Sequence, residues 1–353
     1  MLDMEMTSEW IAQLTQLDKD YLRAYLADNT VNTNDIPPEL DEPLRQKECP
    51  HCKSQRIIRH GRTAKNRQRY MCKDCHKTFT PVTHNFFRSS RLTYKQWLTF
   101  FECEMTGCSL RETAYQTGLS VTSCFYLRHK LYTALQEAQA DKLSGDVQLD
   151  TTFLDMDLKG LKDMPKPVRG SKRNPPVKVL FDKDPHICIT TAVDENKNIL
   201  YVISGYGGES TDKYEKHIDR YDPDCTIISD EHVTIARFAK RNHLKTAPLT
   251  EKRHKRKDGR HISDVNSLHS DLKNLIRNKR GISIRHLQGY LNWLVFTRKA
   301  VKEKRGVWPY EAYGFAHRRD KILNNSDICS MAFPISLEDI YGRYHYGLFR
   351  TTQ

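Results

Sequence analysis

Val147-Gln-Leu-Asp-Thr-Thr-Phe153 alternates apolar and polar side chains and reads as a strand with Asp150 at its middle. The pattern continues outward from this stretch. His186 to Val193 and Ile199 to Ser204 read as two more strands, turned by Glu195-Asn-Lys-Asn198, and Ser210 to Tyr221 reads as a helix. Thr226-Ile-Ile-Ser229 makes a fourth strand, His232 to Asn242 a helix, Leu244 to Pro248 a short fifth strand, and Asp264 to Lys279 a long helix. The order βββαβαβα predicts an α/β, RNase H-like mixed sheet flanked by helices. In such a fold the first strand, the end of the fourth and the last helix meet at one spot.

Polar residues able to bind a cation fall at that spot. Asp150 lies in the first strand, Asp230 at the carboxyl end of the fourth, and Asn266 near the start of the last helix, with Lys273 two turns further along the same face. Two acids held close would bind a pair of magnesium ions, one activating water or a 3′-hydroxyl and the other stabilising the leaving oxygen. Lys273 would then touch DNA phosphate. Each Asp taken singly also suits a turn or a cap, and Asp230 stands where it could cap the helix that follows. Agreement between the positions and the topology favours the metal site. His269, one turn beyond Asn266, is a further candidate ligand or proton carrier, although helix histidines also serve as packing residues. Asp264 and Asp271 are poor substitutes, lying about 160° and 140° around the helix from Asn266. Glu231 reads as a cap of the next helix.

A second chemistry stands upstream. Cys49-Pro-His-Cys52 and Cys72-Lys-Asp-Cys75 form a CxxC…CxxC pair separated by a basic hairpin with Gly61. Two such knuckles close a tetrahedron of thiolates around zinc, and four Cys ligands leave no open position, so the site is structural. Redox CxxC pairs or buried thiols are the alternatives, and neither needs paired knuckles. His51 and His76 read as loop residues. Cys103, Cys108, Cys124, Cys188, Cys225 and Cys329 show no metal spacing and read as small buried groups.

Between these regions the chain is helical, from about Thr93 to Glu137. Ser109-Leu-Arg-Glu112 reads as a capping box, Ala114 as the small residue where two helices cross, and Gly118-Leu-Ser120 as a tight turn into a helix ending near Leu135. Cys124, Leu127 and Leu131 should face inward, leaving Thr122, Ser123, Tyr126 and Lys130 outward. This is a helix-turn-helix pattern whose second helix would enter the major groove. An ordinary helical hairpin has the same periodicity; the zinc ribbon and the basic body favour DNA.

The charge points the same way. The 353 residues carry Lys+Arg 57 against Asp+Glu 44, a net +13. Because residues 1–48 are acidic, the remainder is more basic still. A basic body favours a polyanionic partner through counterion release. Two loops concentrate it: 159–178, with Arg169, Lys172 and Arg173, and 252–257, with Lys252, Arg253, Lys255, Arg256 and Lys257. Both border the expected site and are candidates to line a DNA channel, where solvated loops are the plain alternative.

A hydrophobic fraction of 38% excludes wholesale disorder, and apolar runs are too short for a spanning helix. The acidic opening lacks a secretory pattern, so the expected compartment is the cytoplasm, associated with the nucleoid, with no membrane partner. Ser8 to Ala27 reads as an amphipathic helix bearing Trp10, Leu14 and Tyr21, a candidate dimerisation face. Ile284 to Val301 reads as core helix. The aromatics of the tail from Lys304 suit either base stacking or packing. The expected divisions are 1–46, an acidic helix and linker; 47–82, a zinc ribbon; 90–140, a helix-turn-helix; 146–303, the catalytic domain; and 304–353, a tail.

Zinc ribbon, helix-turn-helix and an RNase H-like core with Asp-x79-Asp-x35-Asn-x6-Lys together resemble the DDE-type transposases of bacterial insertion sequences, in the group with an amino-terminal zinc ribbon. The likeness is carried by Cys72-Lys-Asp-Cys-His-Lys-Thr-Phe79, Leu92-Thr-Tyr-Lys-Gln-Trp97, Val265-Asn-Ser-Leu-His-Ser-Asp-Leu-Lys273, Gly281 and Tyr290-Leu-Asn-Trp293. The resemblance implies binding of terminal inverted repeats, magnesium- or manganese-dependent cleavage at element ends, and strand transfer into target DNA by a homodimer or larger homo-oligomer. The third position is commonly Glu in DDE enzymes and is Asn266 here, as in this zinc-ribbon group. An amide oxygen ligates without adding charge, so weaker cation binding is expected. A transposase-derived regulator that binds DNA without cutting, and a structure-selective nuclease on the same fold, are the alternatives.

Overall fold

The computed structural model describes residues 48–63, 68–80, 83, 86–87, 90, 92–155, 157, 186–230, 232–249, 258–302 and 323–336. The acidic opening, both basic loops with the eight Lys and Arg residues named above, Glu231 and, in the tail, Trp308, Tyr310, Tyr313, Tyr341, Tyr344 and Tyr346 lie outside the described residues. The chain divides into two compact units, Met1–Ala134 with Lys304–Asn325, and Leu135–Glu303 with Ser326–Gln353.

In the first unit, strands β1 (Ile57–Arg62), β2 (Gln68–Cys72) and β3 (Thr78–Phe79) form an antiparallel sheet in that order. Its small core is Cys49, Cys72 and Phe79, with Tyr70 stacked on Phe79 at 5.8 Å between ring centroids. Helix α1 (Tyr94–Met105) starts with a full capping box, Thr93 and Gln96 exchanging side-chain to backbone bonds. Trp97, Phe100 and Phe101 are buried along it.

Helix α2 (Leu110–Thr117) and helix α3 (Val121–Ala134) are joined at Gly118, whose φ of 68° is the left-handed conformation that glycine adopts without steric cost. Ser109 caps α2 by accepting from Glu112 N. The Glu112 carboxylate, however, accepts from Gln116 Nε2 at 2.9 Å, so half of the expected capping box forms. Cys124 and Leu131 are buried as expected, and Thr122 and Ser123 are exposed. Tyr126 and Lys130 are half-buried, not outward, because α3 also buries Arg128 and His129. Arg128 shares the stripe of Cys124 and Leu131, where it donates from Nε to both oxygens of Glu104 on α1, at 2.9 and 2.8 Å, and Tyr132 Oη donates to the same carboxylate at 2.7 Å.

The second unit holds strands β4 (Asp146–Asp155), β5 (His186–Asp194), β6 (Ile199–Tyr206), β7 (Thr226–Ile228) and β8 (Lys245–Thr246), ordered β6-β5-β4-β7-β8. β4, β5 and β6 pair antiparallel, while β7 and β8 run parallel to β4. This is the expected RNase H-like mixed sheet. Helices α4 (Thr211–Glu215) and α5 (Val233–Arg241) pack on one face, where Val147, Leu149, Ala192 and Leu200 meet Tyr214, Ile235 and Phe238. Burying one such side chain stabilises by roughly 1.5–3 kcal/mol. The opposite face carries helices α6 (Ser263–Lys279) and α7 (Ile284–Lys302). Gln288 of α7 ties to β6, accepting from Ile203 N at 3.0 Å.

The helix expected over 210–221 ends early, at Glu215, followed by a 3-10 turn, Ile218–Arg220. Leu143 takes over the backbone there: its N–H donates to Arg220 O at 2.7 Å and its carbonyl accepts from Asp222 N at 2.8 Å. Cys103, Cys124, Cys188 and Cys225 are buried, but Cys329 is exposed and Cys108 half-buried. Leu287, Tyr290 and Leu291 are buried on α7. No helix among the described residues is long and apolar enough to cross a membrane.

Candidate active site and zinc ribbon

The four cysteines come together. The sulfur atoms of Cys49, Cys52, Cys72 and Cys75 all lie within 4.8 Å of one another. The two knuckles repeat one geometry. His51 N and Asp74 N each donate to the first sulfur of their own knuckle at 3.4 Å, and Lys53 N and His76 N return to Cys49 O and Cys72 O. Lys53 and His76 both take positive φ, 61° and 56°, closing each turn. Four thiols in this arrangement suit a tetrahedral zinc ion.

Asp150 lies on β4, on the face opposite Leu149 and the α4–α5 core. Its direct partner on β5 is Thr191. On the other side β4 pairs with β7 through Gln148 and Ile228, where the ladder stops. Extending that parallel register by two places sets Asp230 beside Asp150, just where the two strands part. The carboxyl ends of parallel strands are the usual place for a ligand in open α/β sheets. Asp230 is exposed and bridges to Leu249. Its carbonyl accepts from His232 N at 2.7 Å, and no side-chain cap bond starts α5, so Asp230 is not used as a helix cap.

Burial pushes the Asp150 carboxyl up to about 6, and the nearby charges of Asp230 and Glu209 add to this, against the bond from Thr151 N and the field of His232. Carboxylates crowded into a half-buried site at such a cost form an arrangement that a cation would relieve. Glu209 and His232 carry no motif spacing and were not legible in the sequence. His232 Nδ1 sits 2.6 Å from Glu209 Oε2, a carboxylate only 10% exposed.

Helix α6 crosses this face. His269 points its Nδ1 to Asp150 Oδ2 at 3.7 Å and its Nε2 to Thr191 Oγ1 at 2.9 Å. Burial, helped by Lys273, lowers its imidazole to about 4, so it is neutral at pH 7. Asn266 is exposed one turn earlier, and Lys273 is exposed one turn later. Asp264 and Asp271 turn elsewhere, Asp264 to Gln148 and Lys197, Asp271 to Arg298 at 2.8 Å. Asp150 and Asp230, brought together here, are hard oxygen donors of the kind a divalent cation takes.

Residues 142–298 match the ISXO2-like transposase domain family, and residues 47–76 match the InsA N-terminal domain, a zinc ribbon. An uncharacterized protein in transposable element ISH50 of Halobacterium salinarum is 28% identical over 189 residues, 50% of this chain and 63% of that protein. The chain thus spans under two thirds of that relative's length. The insertion element iso-IS1N protein InsA of Shigella dysenteriae is 33% identical over 75 residues, 21% of this chain and 79% of that protein. A pre-cleavage Mos1 transpososome aligns with a TM-score of 0.25 and 8% identity over 63% of this chain and 79% of that chain, too distant to bear on the residues here. With its four-cysteine ribbon and its two-acid site on an RNase H-like sheet, the chain belongs to the insertion-sequence transposases that join an InsA-type zinc ribbon to an ISXO2-like, DDE-type transposase domain.

Proposed function

We propose that this protein binds the terminal inverted repeats of its element and carries out metal-dependent cleavage and strand transfer there. The observation that carries this reading is the parallel register that sets Asp230 beside Asp150, with His269 of α6 reaching the same carboxylate. Magnesium or manganese, when bound, would activate the attacking oxygen and stabilise the leaving one. Asp150, Asp230 and the Asn266 amide oxygen would hold it, and Lys273 would contact a DNA phosphate. Neutral His269 stands beside Asp150, Nδ1 3.7 Å from Oδ2, and adds no charge against the cation. The Cys49, Cys52, Cys72 and Cys75 thiolates would hold structural zinc.

Recognition is assigned to α3, through exposed Thr122 and Ser123 with Tyr126 and Lys130 at the margin. The basic segments 159–178 and 252–257 would bind backbone phosphates. Two element ends each need an active site, which requires at least two copies on DNA. The expected domain divisions at 47–82, 90–140 and 146–303 are retained in this reading.

The test is a gel assay of the zinc-loaded full-length protein with magnesium on labelled DNA from the ends of its own locus, beside Asp150→Asn. Cleavage at discrete end positions, lost in the variant, is the expected result. Specific binding without cleavage by the wild type would replace it with the regulator reading.

A further inference from the structure

Helix α6 begins without a cap of its own. Its N-cap residue is Ile262, which makes no side-chain cap bond; Ser263 N donates to His261 Nδ1 at 3.4 Å, and the next two amides need an acceptor from elsewhere. Gln148 of β4 supplies one. Its Oε1 accepts from Asp264 N at 3.1 Å and lies 3.5 Å from Val265 N, while its Nε2 donates back to Asp264 Oδ2 at 2.7 Å. This exchange reproduces, between a strand and a helix, what a capping box does within one helix. Lys197 Nζ holds the same Asp264 oxygen at 2.8 Å. Just upstream, Arg260 forks onto Asp146 at 2.7 and 3.1 Å. Asp146, Gln148 and Asp150 alternate along β4 and share one face. The first two anchor the entry to α6, and the third is the carboxylate that α6 meets.

We infer that Gln148 and Asp264 are positioning residues of the cation site: their reciprocal bonds set the register of α6 on β4 and so hold Asn266 and His269 against Asp150. This rests on the reading that Asp150, Asp230 and Asn266 bind the catalytic cation. A slip of α6 by one residue would rotate Asn266 by about 100° and shift it about 1.5 Å. Glutamine fits the role because one side chain offers both acceptor and donor. Neither a carboxylate nor an apolar residue does so.

The test measures manganese binding by calorimetry, without DNA, on zinc-loaded full-length protein well below each variant's unfolding midpoint. Gln148→Met and Asp264→Ala, which removes the acceptor for Gln148 Nε2, should each weaken manganese binding by about 10- to 100-fold and leave affinity for end DNA unchanged. Combining Gln148→Glu with Asp264→Asn exchanges donor and acceptor, and should restore most of the loss. If Gln148→Met fails to fold, Asp264→Ala against the paired exchange carries the comparison. Variants with a lower midpoint but wild-type manganese affinity would make the contact a purely structural one and overturn the proposal. If Asp150→Asn binds manganese as the wild type does, the catalytic reading itself fails, and the positioning role with it.

Discussion

His269 spans one cross-strand pair of the sheet, with Nδ1 3.7 Å from Asp150 Oδ2 and Nε2 2.9 Å from the Thr191 hydroxyl. Asp150 and Thr191 are direct neighbours on β4 and β5, so a single ring stands over both, on the side of Asp150 away from the β7 edge. Thr191→Val keeps the shape and removes the hydroxyl that orients the ring. Cleavage at saturating DNA should fall about tenfold, and His269→Ala should cost more, about 100-fold, with DNA affinity unchanged in both. Single-turnover rates on end DNA check this; equal rates for wild type and His269→Ala would remove the imidazole from the site.

The Glu104–Arg128 pair predicts an asymmetric stability response, since both side chains are almost wholly buried, 0% and 3% exposed. Arg128→Met strands a buried carboxylate and should cost about 3–5 kcal/mol in denaturant unfolding of the helical unit. Adding Glu104→Leu should recover most of that loss. A fully additive double variant would show that the two charges are not coupled.

Zinc content tests the ribbon. One zinc per chain is expected by elemental analysis of protein purified without chelator. Cys72→Ser should lose it, because three thiolates do not close the tetrahedron. The sheet β1–β3 has a core of little more than Cys49, Cys72 and Phe79, so chelation should unfold this region while α6 and α7 keep their helical signal.

A buried histidine away from the site sets a pH response. Burial, with Arg285 acting in the same direction, lowers His286 to about 4, against about 6.5 in an unfolded chain. The unfolded state then binds the proton more readily, so the stability is present above pH 6.5 and is lost as pH falls toward 4. The unfolding midpoint should drop between pH 7 and pH 5. His286→Leu should flatten part of that slope, since His269 and His217 are lowered by burial in the same direction while the raised Asp150 carboxyl works against it. A variant with the wild-type slope would show that His286 does not titrate in this window.

The amino-acid sequence by itself determined the four-cysteine cluster, the order of the strands, and the neighbouring positions of Asp150 and Asp230 in the sheet. These rest on local chemistry and short periods. A CxxC turn presents two thiolates whatever surrounds it, and alternation along 147–153 commits a strand before anything packs on it. What only the tertiary structure decided is which polar groups find each other across long separations. Arg128 of α3 finds a buried partner in Glu104, twenty-four residues away on α1, which no local pattern announces. Gln148 carried no signal at all, because a glutamine in a strand caps a helix only when residues more than a hundred positions away come within about 3 Å of it. Glu209 and His232 met in the same way beside Asp150. Hydrophobic period selects a face, but buried polar groups must be paired individually, and that pairing belongs to the assembled fold.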